Sequence, residues 1–175
     1  MNGWDCDAAT GSVEELTRIV DHIRQYWPDT EIVIRGDSGF CRDDIMRWCE
    51  ARDGVEYVLG LAKNARLKRA LGKAMHKAEA QFNQLGQAAR VFDDFDYKTR
   101  KSWTCTRRVI GKAEHLAKGA NPRFVVTSLP REDVNAKTLY ERLYCARGDM
   151  ENRIKEQQLY LFADRTSTAT LRANQ

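Results

Sequence analysis

Two stretches of the sequence, far apart along the chain, carry side chains that together could bind metal ions and act on phosphate esters. The first is 36–39, Gly-Asp-Ser-Gly, which follows a short apolar run and places the carboxylate of Asp37 on a tight turn. The second has Tyr144, Arg147 and Glu151 at steps of three and four, the spacing of one helix face. A carboxylate at a strand end and another on a later helix are components of two-metal phosphoryl-transfer sites.

Each stretch also has a simpler explanation when it is considered alone. Asp within Gly-Asp-Ser-Gly is common turn chemistry, and a polar stripe on a helix is commonly an exposed face with ion pairs. The stripe continues from Glu151 through Lys155 and Gln158. Its Tyr and Arg add a stacking group and a bidentate phosphate binder beside a potential metal ligand. The functional interpretation therefore depends on the two stretches lying together.

Composition limits the class of protein. With 42% hydrophobic and 31% charged residues, the 175-residue chain fits a soluble globular domain with a substantial core. No apolar run approaches the roughly 18 residues that a membrane span needs, so we expect no membrane partner. The five cysteines are odd in number and form no Cys-x-x-Cys pair, which favours reduced thiols in a cytoplasm.

Charge is unevenly distributed along the chain. Residues 63–122 carry 14 Lys/Arg against 5 Asp/Glu, a net charge of +9, whereas the rest carries 15 against 20, a net charge of −5. Such a basic segment indicates a polyanion-binding lobe, although an unevenly charged solvated surface would give the same count. The proposed DNA-binding face lies on one side of a long basic helix and consists of Arg66, Arg69, Lys73 and Lys77.

Hydrophobic periodicity predicts alternating elements in the first third of the chain. A capping box, Ser12 with Glu15, opens a helix that ends near Tyr26. A strand at 32–34, a helix at 42–52 and a strand at 57–61 follow, and this succession predicts a largely parallel α/β core. The pattern then changes, and the later elements are a basic helix at 64–87, strands at 90–97, 103–110 and 124–129, a helix at 135–145 and a final helix to about residue 162.

Tyr144, Arg147 and Glu151, together with the stretches 34–42, 57–67 and 164–167, carry a resemblance to a known family. The sequence resembles the DDE transposases of bacterial insertion sequences, in the branch with a Tyr-x2-Arg-x3-Glu-x6-Lys signature. The resemblance implies an α/β fold, an RNase H-like core with a mixed sheet and a basic, partly β insertion. The implied division is a leader at 1–10, a discontinuous core at 11–62 and 123–165, an insertion lobe at 63–122 and a tail at 166–175.

The resemblance also implies roles for individual residues. Asp37 would be the second catalytic acid and Glu151 the third, and both would be ligands of two Mg²⁺ ions, with Mn²⁺ able to substitute. Tyr144 and Arg147 would contact double-stranded DNA at the transposon ends. Gln158 stands at the signature Lys position, which removes a phosphate-binding cation unless Lys155, one turn earlier, substitutes for it, and we count both as predicted DNA-binding residues.

The family's first catalytic Asp has no clear counterpart here, because the leader with Asp5 and Asp7 lacks strand character. We therefore expect a truncated transposase fragment with an incomplete core and an incomplete two-ion site, inactive alone in DNA cleavage and strand transfer. The alternative is a non-catalytic DNA-binding remnant. Either protein would work in the bacterial cytoplasm on the nucleoid, and a homodimer is compatible with both.

Overall fold

The computed structural model describes residues 11–146, which form a mixed six-stranded sheet with helices on it. The strands, in chain order, are β1 (Ile32–Gly36), β2 (Val55–Leu61), β3 (Ala89–Tyr97), β4 (Arg107–Leu116), β5 (Gly119–Ala120) and β6 (Arg123–Thr127). The helices are α1 (Ser12–Tyr26), α2 (Asp43–Glu50), α3 (Ala65–Ala70), α4 (Gly72–Leu85), α5 (Ala136–Thr138) and a π-helix (Leu139–Tyr144). Among these residues no helix is long and apolar enough to cross a membrane.

The strand order is β1-β2-β6-β4-β3, with β5 paired to β4. β1 and β2 are parallel and are joined through α2, as the alternating sequence pattern predicts. β6 runs antiparallel to both β2 and β4. The prediction of a largely parallel core was therefore wrong for the described sheet, in which one strand pair is parallel. After β2 helices and strands no longer alternate strictly. β3 and β4 pair as antiparallel neighbours, and β6 returns to lie between β4 and β2.

α1 spans the predicted residues, and its apolar stripe packs toward α2, where Trp48 Nε1 donates a hydrogen bond of 2.9 Å to Thr17 Oγ1. The predicted capping box is wrong. The N-cap residue is Gly11, in the left-handed region at φ 79°, and no side chain caps the helix. Glu15 accepts hydrogen bonds from Arg18 on the next turn, so its carboxylate does not reach back to the helix start.

The predicted long basic helix is two helices, α3 and α4, which meet at Leu71. Asn64 caps the first, because its Oδ1 accepts a hydrogen bond of 3.0 Å from Leu67 N. Leu71 is fully buried, and its Cδ1 lies 2.5 Å from the position that a Cβ on Gly111 would occupy. The break therefore occurs where Leu71 packs directly on the backbone of β4.

β3 and β4 pair along their length, but β4 begins later than the predicted strand at 103–110. Trp103 lies in the connection between them, 5% exposed, edge-on to the ring of Tyr97 and beside the guanidinium of Arg107. β4 also pairs with β6, so strands of the basic segment 63–122 belong to the same sheet as β1 and β2. The description of that segment as an inserted lobe stays a prediction.

A buried ionic cluster attaches β4 to α2. Arg107 donates to Asp43 Oδ1 at 2.7 Å and to Glu50 Oε1 at 2.6 Å, and the Tyr57 hydroxyl donates to the same Glu50 oxygen at 2.8 Å. Burial opposes the charge on Arg107, but these two carboxylates outweigh it and raise the pKa of the guanidinium above its usual range. The cluster therefore fixes the hairpin against α2.

Apolar side chains pack on both faces of the sheet. Alternate residues of β2 and β4 point to opposite sides, so Leu59 and Val109 join the larger core beneath α1 to α4, whereas Val58 and Ile110 join a smaller one. The smaller core is covered by Leu139 and Tyr140 of the π-helix. The π-helix segment is thereby seated on the face opposite α4.

The predicted helix at 135–145 is confirmed as helical, with a change of helix type. Asn135 Oδ1 accepts a hydrogen bond of 3.0 Å from Thr138 N and caps α5. The chain then continues as a π-helix, and Cys145 N donates to Tyr140 O, five residues back, at 3.0 Å. The predicted leader and final helix lie outside the described residues.

Candidate active site

Asp37 directly follows β1, as predicted, and begins a tight turn. Its Oδ1 accepts a hydrogen bond of 2.9 Å from Gly39 N, and Phe40 N donates to the Asp37 carbonyl at 3.2 Å. The first bond is the Asx-turn chemistry expected of this segment. The side chain of Asp37 is exposed at the end of the parallel pair β1–β2, the usual position of ligand sites in α/β sheets.

Tyr144 ends the π-helix and is held by its neighbours. Its ring packs at 5.5 Å, centroid to centroid, against that of Tyr140, which is nearly fully buried on the sheet. Arg35 of β1 donates a hydrogen bond of 2.8 Å to the carbonyl oxygen of Leu143. The strand that leads into Asp37 is therefore tied directly to the helix segment that carries Tyr144.

Gly60 of β2 lies between these two parts. A Cβ at this position would be 2.6 Å from the Tyr144 hydroxyl oxygen, 3.2 Å from Ser38 N and 3.3 Å from the carbonyl carbon of Asp37. Only a residue without a side chain leaves room for both to approach β2 so closely. The structure therefore brings the turn of Asp37 and the hydroxyl of Tyr144 to the same point, whereas the predicted pairing of Asp37 with Glu151 lies outside the described residues.

Asp37 and Tyr144 line an open cavity of about 530 Å³. Lys63, in the loop after β2, and Arg123, at the start of β6, line the same cavity. Neither cation makes an ion pair or side-chain hydrogen bond with any residue in the range 11–146. The cavity thus combines a carboxylate, a phenol and two cations, a set that suits a phosphate ester close to a divalent cation.

A second ionic cluster supports the wall of this cavity. Glu114 accepts hydrogen bonds from Lys112, Arg90 and Asn121 at 2.6–2.8 Å, and Lys112 Nζ lies 5.5 Å from the centre of the Tyr140 ring. Burial disfavours the charge on Glu114, but the three donors outweigh it and lower its pKa to about 2. Lys112 is committed to this carboxylate, whereas Arg123, opposite it on β6, is not paired within the described chain.

The predicted DNA-binding face on α3 and α4 is not one continuous helix face. Arg66 donates to the carbonyl of Lys98 at 3.2 Å and lies 5.2 Å from the centre of the Tyr97 ring, so it packs on the end of β3. Arg69, Lys73 and Lys77 are exposed. The remaining predicted site residues, Arg147, Glu151, Lys155 and Gln158, lie outside the described residues.

Carboxylate oxygen at an open cavity is the ligand chemistry that Mg²⁺ and Mn²⁺ prefer, so Asp37 fits such an ion as one ligand. Within residues 11–146 no group of three or more His, Cys, Asp or Glu could by itself hold a metal ion. A site with three such ligands would therefore need at least one from outside this range, and Glu151 is the predicted one.

The sequence matches the family model described as Transposase DDE domain group 1 over residues 4–175. The chain belongs to that family. Comparisons with curated proteins and with solved structures returned no significant match. The family match and the mixed α/β sheet agree with the predicted DDE transposase fold.

Proposed function

We propose that the chain is the catalytic domain of a DNA transposase, in which Asp37 and Glu151 are metal ligands. The observation that carries this proposal is the shared cavity of Asp37, Tyr144, Lys63 and Arg123 at the end of the parallel strand pair. Family membership supports it, because DDE transposases act on DNA by metal-dependent strand transfer. Tyr144 also stands at the first position of the proposed signature, so Arg147 and Glu151 follow it along the chain.

The residues of the cavity would divide the work as follows. Lys63 and Arg123 bind the phosphate oxygens of the DNA backbone and hold the scissile ester beside Asp37. Tyr144 stacks on an unpaired base or donates its hydroxyl to a phosphate. The carboxylates of Asp37 and Glu151 would hold Mg²⁺, whose chemistry when bound would be to activate a water or 3′-hydroxyl and to stabilise the leaving oxygen. Arg147 and Lys155 extend the phosphate contacts along the same chain segment.

A non-catalytic DNA-binding remnant is the second candidate. The exposed cations Arg69, Lys73 and Lys77, which make no ion pair with any residue in the range 11–146, favour it, because they can bind phosphates without any metal. The two candidates differ in one measurable property, which is whether divalent cations and the two carboxylates contribute to DNA binding.

The test measures the affinity of the full chain for a duplex oligonucleotide in Mn²⁺ and in EDTA. We expect Mn²⁺ to tighten binding several-fold, because an ion held by the carboxylates would add positive charge beside the DNA phosphates. Asp37→Asn and Glu151→Gln should abolish the gain, and Asp53→Asn, in the exposed turn before β2, should retain it. An identical gain in all four proteins would mean that the metal ion binds somewhere other than Asp37 and Glu151. No gain in the parent would favour the non-catalytic DNA-binding remnant.

A further inference from the structure

A second cavity, of about 310 Å³, lies on the α4 side of the sheet. The residues that line it include Lys63, Lys68 of α3, Met75 and His76 of α4, and His115 of β4. The sequence motifs assign no role to Lys68, Met75, His76 or His115. The volume of about 310 Å³ is close to the lower limit of roughly 300 Å³ for small-molecule sites, and it suits one nucleotide.

This cavity adjoins the Asp37 cavity. Lys63 and Pro122 line both of them. The two residues come together because Leu61 of β2 pairs with Phe124 of β6, so the loop after β2 and the loop before β6 leave the sheet side by side. A path therefore runs from Asp37, over the end of the sheet between these loops, to the face that carries α4.

The chemistry along the path changes from cationic to apolar. Lys63 and Lys68 make no ion pair with any described residue, so both ammonium groups are available to phosphates. The ring of His115 packs at 4.9 Å, centroid to centroid, on that of Phe82, and Met75 adds an apolar surface. Glu79 also lines the cavity and can accept a hydrogen bond from an exocyclic amino group of a base. Cations beside a stacking surface are the usual features of single-strand binding.

We propose that this second cavity binds one unstacked nucleotide of a single-stranded DNA segment whose neighbouring phosphate lies in the Asp37 cavity. Lys68 binds the phosphate of that nucleotide, and its base lies against Met75 and His115. One part of this proposal rests on the proposed function, namely that the strand continues from the second cavity to Asp37. It also says where each part of the DNA lies: an unpaired strand crosses the end of the sheet at Lys63, and any duplex stays outside the two cavities.

The test compares binding of a fluorescent single-stranded oligonucleotide of about 15 nucleotides with binding of its duplex, in EDTA. The variant is Lys68→Gln and the matched control is Lys137→Gln, an exposed cation of α5 that lines neither cavity. We expect Lys68→Gln to weaken single-strand binding about tenfold, with a salt slope reduced by about 0.7, and duplex binding less than twofold. Far-ultraviolet circular dichroism checks that both variants are folded.

A photo-crosslinking measurement shows where on the protein the single strand binds. Single strands with 4-thiothymine should crosslink within the peptides that contain Met75 or His115, and Lys68→Gln should reduce that yield. Equal weakening by Lys68→Gln and Lys137→Gln, or crosslinks confined to other peptides, would overturn the proposal. Because these measurements contain no metal, they fail independently of the Mn²⁺ test. A Lys68 effect without a Mn²⁺ gain would retain the single-strand site and remove the catalytic assignment.

Discussion

At the scale of single residues, Gly60 controls how closely the two halves of the site approach each other. The turn of Asp37 and the hydroxyl of Tyr144 both lie against its backbone, at distances shorter than a side chain would permit. Arg35 reinforces the same contact from the neighbouring strand by its hydrogen bond to Leu143. The site therefore depends on two residues that have no chemical role of their own.

Replacing Gly60 with Ala should disturb this contact, because the new Cβ overlaps the Tyr144 hydroxyl. We expect a loss of about 1–3 kcal/mol in the free energy of unfolding, measured by urea denaturation, and a smaller Mn²⁺ effect on DNA binding. Gly72→Ala is the control, since nothing lies within 4 Å of its Cβ position and Ala favours the helix. Equal stability of Gly60→Ala and the parent would mean that Tyr144 can move aside without consequence.

At the scale of elements, local patterns predicted the first third of the fold and missed features that distant contacts determine. α1, β1, α2 and β2 lie within a few residues of their predicted bounds, because periodicity and turn residues specify them. The break at Leu71 depends on its packing over Gly111, and the late start of β4 depends on Trp103 and Arg107. No window of neighbouring residues contains those contacts.

The residues of the candidate site likewise divide into those that local sequence motifs predict and those that only the folded structure reveals. Asp37 and Tyr144 were predicted from motifs, whereas Lys63 and Arg123 were missed because each is an isolated cation in the sequence. A signal for Lys63 existed. It follows β2 as Asp37 follows β1, and the ends of two parallel strands meet at one edge of a sheet. Arg123 had no such signal, because β6 enters the sheet antiparallel to β2.

The exposed cations of α4 should contribute to duplex binding without sequence preference. We expect Lys73→Glu with Lys77→Glu to weaken duplex binding on the order of tenfold and to reduce the salt slope by about 0.9 per lost contact. The control is Arg47→Glu with Lys137→Glu, which makes the same charge change at exposed positions outside the basic segment. If fluorescence anisotropy shows that both double variants bind the duplex equally weakly, then the net charge of the protein, and not the position of these cations, determines duplex affinity.

At the scale of the whole molecule, one continuous sheet joins the basic segment to the strands of the site. The pairing of β4 with β6 and the cluster of Arg107, Asp43 and Glu50 fix this arrangement. Displacement of the β3–β4 hairpin would therefore be transmitted to β6 and to Arg123 at the cavity. If the basic segment binds DNA as proposed, that DNA would be held in a fixed relation to Asp37.

We expect the 175-residue chain alone to show no significant nicking of supercoiled plasmid in Mg²⁺ or Mn²⁺. Asp37 and Glu151 are two of the three carboxylates that the resemblance implies, and two ions without a shared ligand lack the fixed spacing for in-line transfer. Glu151→Gln is the control and should give the same background. Strong nicking that this variant abolishes would contradict the expectation, and Asp5 and Asp7 would become candidates for the first ligand.

The position of Trp103 also gives the protein an intrinsic optical reporter. Its indole is enclosed by Tyr97 and Arg107 at the junction of the β3–β4 connection with α2, whereas Trp27 is 63% exposed. Loosening of that junction would expose Trp103 to water and move its emission to longer wavelength. In a protein with the other three tryptophans, Trp4, Trp27 and Trp48, changed to Phe, acrylamide quenching of Trp103 would follow the attachment of the hairpin during DNA binding, without any label on the protein.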